Sequence, residues 1–220
     1  MSRSVVLRPS VRCERCRLAP RWCVCDGLAA VDSPLRVDVL MHVMESYRPS
    51  STGHLINRVL PGAGVHLYRK EAPPAREAIA VPGRDLWILH PQGDPPPTDA
   101  DPARVQVLLL DGTWVQATGM ARHIAGWGRR VSLPMTGESR YWLRAQAGPG
   151  RFSTMEALLF VMAGLGLTDA HRRLREQFEL HVLASLCARG HKAQARDYLR
   201  GSPVAAAFPD LVARLVAERD

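Results

Sequence analysis

The chain lacks any apolar run long enough to span a bilayer. Its longest, Ala157 to Leu167, falls well short of the ~20 residues a membrane helix needs. Its first residues, MSRSVVLRPS, carry no apolar region of the secretory type before the cysteines begin. These absences predict a soluble, cytoplasmic protein with no membrane partner. Three sequence fingerprints are also missing. Without G-x-G-x-x-G, a P-loop or a G-x-S-x-G elbow, dinucleotide, nucleoside-triphosphate and α/β-hydrolase chemistries lose their usual support. Lysine is scarce, with only Lys70 and Lys192 among 29 basic residues.

What is present begins with arginine. The formal charge is +8 and the sequence pI is about 9.8, a balance that favours a polyanionic partner, although arginine used for solubility gives the same totals. At 220 residues, 46% hydrophobic and 23% charged, the chain suits one globular unit with a small appendage. Four of its five cysteines, Cys13, Cys16, Cys23 and Cys25, form C-x2-C-x6-C-x-C. Four thiolates so close can converge on one tetrahedral ion, whereas two disulfides in so short a loop would be strained. A structural zinc is the expected occupant, with iron compatible with the same donors; redox pairs or chance clustering are the alternatives. Cys187 lies among Leu183, Ala184 and Leu186 and reads as a small core residue.

Strand and helix patterns alternate through the middle of the chain. Strands are expected at Leu35 to Val43, Gly64 to Tyr68, Leu86 to His90 (closed by Pro91), Val105 to Leu110 and Arg129 to Leu133. The run VQVLLL is nearly all apolar, as in a strand buried on both faces of a parallel sheet. Helices are expected from Thr52 to Leu60, after Asp111-Gly112, and from a capping box at Ser153-Thr154-Met155-Glu156. Further helices are expected near Asp169 to Arg189, His191 to Arg200 and Pro209 to Ala217. Gln92 to Pro102 reads as a proline-rich loop, and Pro134 to Arg151 as a polar segment without periodicity. The expected class is α/β: a mostly parallel sheet with covering helices, an N-terminal four-cysteine knuckle (residues 1–30) and a helical C-terminal third within residues 31–220.

Ligands of open α/β sheets bind outside the carboxyl ends of the strands. Asp111 stands there, as a functional carboxylate or as a turn aspartate capping the next helix. His42, Glu45 and Arg48 leave another strand end, as a base, a carboxylate and a donor fork, or as a solvated loop. Glu138 to Arg144 (ESRYWLR) interleaves arginines with aromatics, which suits RNA stacking or amphipathic burial equally well. His123, His171 and His181 sit in helical patterns and are not read as ligands.

Together these segments resemble the DTW-domain family, tRNA-uridine aminocarboxypropyltransferases related to SPOUT-class knotted methyltransferases. The resemblance runs nearly end to end. It rests on the cysteine entry with Leu18-Ala19-Pro20, on H-x-x-E-x-x-R followed by T-G-x-L-I (His42 to Ile56), and on His90-Pro91. It continues with D-x-T-W as Asp111 to Trp114, E-S-R-Y-x-L-R (Glu138 to Arg144) and S-T-x-E-A (Ser153 to Ala157).

The resemblance implies a SPOUT-like fold and transfer of the 3-amino-3-carboxypropyl group of S-adenosylmethionine to uridine N3 in tRNA. It implies Asp111 as base or orienting acceptor, with Thr113, Trp114, His42, Glu45 and Arg48 around the reaction. It also implies a cofactor site of Pro91, Leu133, Ser139, Arg140, Tyr141, Ser153, Thr154 and Glu156. Arg12, Arg15, Arg17 and Arg21 on the knuckle would grip the tRNA backbone. A SPOUT-type RNA methyltransferase and a non-catalytic zinc-bearing RNA-binding protein are the alternatives. The sequence sets no oligomeric state.

Overall fold

The computed structural model of the chain describes residues 11–144 and 150–217. The N-terminal stretch read for a secretory signal, and residues 145–149 of the polar segment, lie outside the described residues. Five strands, β1 (Arg36–His42), β2 (Gly64–Tyr68), β3 (Asp85–Asp94), β4 (Val105–Asp111) and β5 (Arg129–Val131), form one sheet in the order β2-β1-β4-β3-β5. Every pairing is parallel. This accounts for the apolar VQVLLL run, since β4 lies between β1 and β3 and has helices or loops on both faces.

Among the described residues there are seven α-helices: α1 (Thr52–Val59), α2 (Trp114–His123), α3 (Thr154–Gly164), α4 (Thr168–Ala188), α5 (Lys192–Leu199), α6 (Val204–Ala207) and α7 (Pro209–Val216). Alternation sorts the strand residues onto two faces. Val37, Val39, Met41, Val107 and Leu109 share a core with α1, α3 and α4. Leu40, Ile88 and Leu108 face the other way, toward Met120 and Ile124. Cys16, Leu18, Val24, Cys25 and Leu28 of the knuckle belong to the first core, so the four-cysteine segment packs into the body of the protein.

One strand differs from expectation. β3 does not stop at Pro91 but runs on to Asp94, so the first residues of the expected loop are strand. Past Ile88 it parts from β4 and follows β5 alone, with a register shift between Leu89 and Asp94. Proline is tolerated there because the bulge makes no demand on its missing N–H. Gly93 lies against the β5 backbone, where a Cβ would come within 2.6 Å of Val131, and Ser132 N donates to Asp94 O at 2.8 Å.

The opposite face is held by a polar cluster. Asp38, fully buried, accepts from Arg36 (2.7 and 2.9 Å) and Gln106 (2.7 Å) and is bonded to His66 at 2.9 Å. Gln106 also ties down the 76–81 segment, donating to Ile79 O and accepting from Val81 N. Burial alone would raise the Asp38 pKa; the bonds from His66, Arg36 and Gln106 outweigh it and bring the carboxyl to about 2. Among the described residues no helix is long and apolar enough to cross a membrane.

Candidate functional site

Neighbouring strands β1 and β4 send their chains to opposite faces, β1 into α1 and β4 into α2. A crevice therefore opens at their carboxyl ends. Asp111 ends β4 there, 5% exposed, with its side chain turned toward α1 and α3. Ser51 Oγ donates to one carboxylate oxygen (2.7 Å) and Thr154 Oγ1 to the other (2.6 Å), so Asp111 braces the N-termini of both helices. It does not cap α2. Thr113 does, in a capping box with Gln116. Burial raises the Asp111 pKa, the bonds from Thr154 and Ser51 pull it back, Glu45 raises it and Arg144 lowers it.

The loop leaving β1 is built on Glu45. It is fully buried and accepts from Arg48 at 2.9 Å and Arg144 at 2.5 Å. Two guanidiniums on one carboxylate give the partners a buried anion requires. Arg48 keeps 45% of its side chain exposed, leaving donors for a ligand. His42 Nδ1 accepts from Met44 N and sets the turn. Tyr141, also buried, donates its hydroxyl to Ser50 O, so the 138–144 segment is fastened to this loop at two points.

At the start of α3, Ser153 and Glu156 complete the expected capping box. Glu156 does more: its carboxylate accepts from Ser139 Oγ, from Arg140 N at 2.6 Å and from Ser153 N at 2.7 Å. Arg140 directs its guanidinium to Glu179 and to Tyr198 O, over the Tyr198 ring. Trp142 packs edge-on against Tyr198. Of the two roles open to ESRYWLR, the geometry realises burial.

A cavity of about 460 Å³ lies beside this frame, over the ends of β3, β4 and β5. Its volume falls in the roughly 300–1,000 Å³ range of small-ligand sites. Leu89, Leu109, Val131, Leu133 and Phe152 supply apolar walls, and Ser132, Ser153 and Thr154 supply polar atoms. Of the residues assigned by resemblance, Pro91, Leu133, Ser153, Thr154 and Trp114 line it. Ser139, Arg140, Tyr141 and Glu156 do not line it; Glu156 holds the lining residue Ser153 by its N–H, and Ser139 and Arg140 N bond Glu156 in turn. Asp111 and Thr113 likewise do not line it, while Gly112 between them does.

Sequence reasoning left Ser51, Arg144, Leu89 and Phe152 out of the site. Ser51 had a signal, the helix N-cap position before Thr52. Arg144 was legible only as the last residue of ESRYWLR, and its pairing with Glu45, 99 residues away, had no signal.

The four knuckle sulfurs lie within 4.8 Å of one another, with Cys13 to Cys25 and Cys16 to Cys23 both at 3.7 Å. Tetrahedral zinc with Zn–S bonds of about 2.3 Å sets its sulfurs ~3.8 Å apart, so the donor set fits the ion. Backbone N–H of Cys16 is the chief influence bringing the Cys13 thiol to about 6, while burial pushes the Cys25 thiol up. Arg58 of α1 donates to Arg15 O at 3.0 Å, and Arg17, at φ 60°, donates to Ser46 O at 2.7 Å. The knuckle is thereby bonded to α1 and to the Glu45 loop.

These features define an α/β protein with a cavity of small-ligand size over the ends of β3, β4 and β5, beside the switch point of a parallel sheet, and with a four-thiol knuckle set into its core. A family profile described as DTW domain matches residues 10–186, and the chain belongs to the DTW-domain family, which is associated with tRNA-modifying transferase activity. No solved structure matches the chain.

Proposed function

We propose that the protein transfers the 3-amino-3-carboxypropyl group of S-adenosylmethionine to N3 of a uridine in tRNA. The observation that carries this reading is the arrangement at the start of α3. Thr154 lines the cavity while its hydroxyl proton is committed to Asp111, so it faces a ligand only as an acceptor. An acceptor there suits the methionyl ammonium, and the positive end of α3 suits the carboxylate beside it. Arg140 is spent on Glu179 and Tyr198, and the N–H groups of Met155 and Glu156 on Thr52 and Ser153, which leaves Thr154 N as the donor at the helix terminus.

The sulfonium makes its γ-carbon open to attack. The N3–Cγ bond forms as Cγ–S breaks, methylthioadenosine leaves with the electron pair, and the N3 proton passes to solvent. Which of the three carbons on sulfur reacts is a matter of presentation, so gripping the methionyl end is how this chain would direct the reaction. Asp111 acts as the orienting acceptor, since both its oxygens already receive hydroxyl protons. Trp114, 46% exposed on the cavity rim, offers a stacking face for the base.

Incubating the protein with unmodified tRNA and S-adenosylmethionine labelled in the methionyl carboxyl carbon tests this. Label in a uridine, identified by nucleoside mass, is the expected result. Transfer of a methyl label in its place would make the chain a methyltransferase, and no transfer of either would favour a binding protein.

A further inference from the structure

On the far side of Trp114 from the cavity lies an open groove of about 710 Å³ between the ends of β1 and β2 and one side of α2, from Trp114 in its first turn to Arg122 in its last. Trp114 and Thr118 line both spaces, so the groove continues the cavity across these two side chains. Its lining carries His42, Lys70 and Arg122 and no carboxylate. Lys70 and Arg122 have no ion-pair partner among the described residues, although arginines elsewhere in the protein pair with Glu45, Glu179 and Asp38. Between the cations stand apolar surfaces, Trp114 at 46% exposure and Val115 at 84%.

We infer that this groove seats the nucleotides flanking the target uridine as a single-stranded RNA segment, with a base against Trp114 and phosphates at Lys70 and Arg122. The inference rests on the reading of the adjoining cavity as the S-adenosylmethionine site of an RNA-modifying enzyme. Uridine N3 lies on the pairing edge of the base, so the target must be unpaired when it reacts, and its neighbours then enter as single strand. Aromatic faces interleaved with unneutralised cations are what such a strand requires: stacking that tolerates any base, and charge that follows the backbone. Three of the four knuckle arginines are a poorer fit, because Arg12, Arg17 and Arg21 each spend a donor on a backbone carbonyl.

The test uses the full chain, an unmodified tRNA transcript and a salt series, comparing the wild type with the double variant Lys70→Ser/Arg122→Ser. Removing two phosphate contacts should flatten the log-log salt slope by about 1.4, at about 0.7 for each phosphate. S-adenosylmethionine affinity by calorimetry should stay the same. Val115→Glu, a change at an exposed position that folding tolerates, places an anion in the groove and should weaken tRNA binding by about tenfold or more, or ~1.4 kcal/mol. A wild type that binds and modifies tRNA while both variants keep its slope and affinity overturns the groove alone. A wild type that binds no tRNA overturns the groove together with the functional reading beneath it.

Discussion

Thr154 has a single hydroxyl proton, and giving it to Asp111 decides what else the residue can do. Thr154→Val would leave an Asp111 oxygen unpartnered in a buried place and remove an acceptor from the cavity. Thr154→Ser would keep both functions. We expect the valine variant to bind S-adenosylmethionine about tenfold or more weakly, in line with ~1.5–3 kcal/mol for a hydrogen bond to a charged group, and the serine variant to bind within a few fold of wild type. Equal affinities by calorimetry would remove Thr154 from the site. His181 makes a different case. It is fully buried in α4, and neither ring nitrogen has a partner among the described residues. Burial, with Arg58 and Arg189 nearby, brings its pKa down from 6.5 to about 3. Below pH 6.5 the unfolded chain takes up a proton that the folded chain refuses. Stability is therefore full above that pH and declines toward about pH 3, by up to ~1.4 kcal/mol for each pH unit. Denaturant titrations at several pH values should show this slope in the wild type and a shallower one in His181→Leu; parallel slopes would mean that His181 is protonated in the fold.

The elements were the most legible part of the sequence, because periodicity acts over short distances. The positions of β2 and α1 and the Ser153 capping box all follow from neighbours within a few residues, and the structure has them there. The extension of β3 was hidden because Pro91 is a stop signal on local rules, and only pairing with β5 overrides it. The brace across Asp111 was hidden for a similar reason: Ser51, Asp111 and Thr154 come from three distant segments. Gly53 shows how that brace acts on an element. In an exposed helix, glycine to alanine gains up to about 1 kcal/mol. At Gly53 in the first turn of α1, a Cβ would meet Asp111 Oδ2 at 2.8 Å and Met41 Cε at 2.9 Å. Both neighbours are buried and one is already bonded, so Gly53→Ala should lower the melting temperature despite the gain in propensity. A rise would mean that α1 can move away from β4 without cost.

At the scale of the whole molecule the question is whether the knuckle is an attachment or part of the fold. Its spacing announced a metal site, but spacing does not show what the site is fastened to. Cys16, Val24 and Cys25 are buried in the core that also holds α3 and α4, Ala29 N donates to Gln177 of α4, and Arg58 and Arg17 bond the knuckle to α1 and to the loop of Glu45. Four thiols within 4.8 Å repel one another as they ionise unless a cation holds them, so without metal the segment loses what fixes its turns. An independent appendage would melt alone and leave the α/β body as it was. A shared core predicts that a strong chelator lowers the midpoint of a single cooperative transition seen equally by circular dichroism and tryptophan fluorescence. It predicts as well faster hydrogen exchange at residues 43–51, because Arg17 would no longer hold Ser46. Separate transitions, with the main one unmoved by the chelator, would show instead that the sheet and its cavity are stable without the metal.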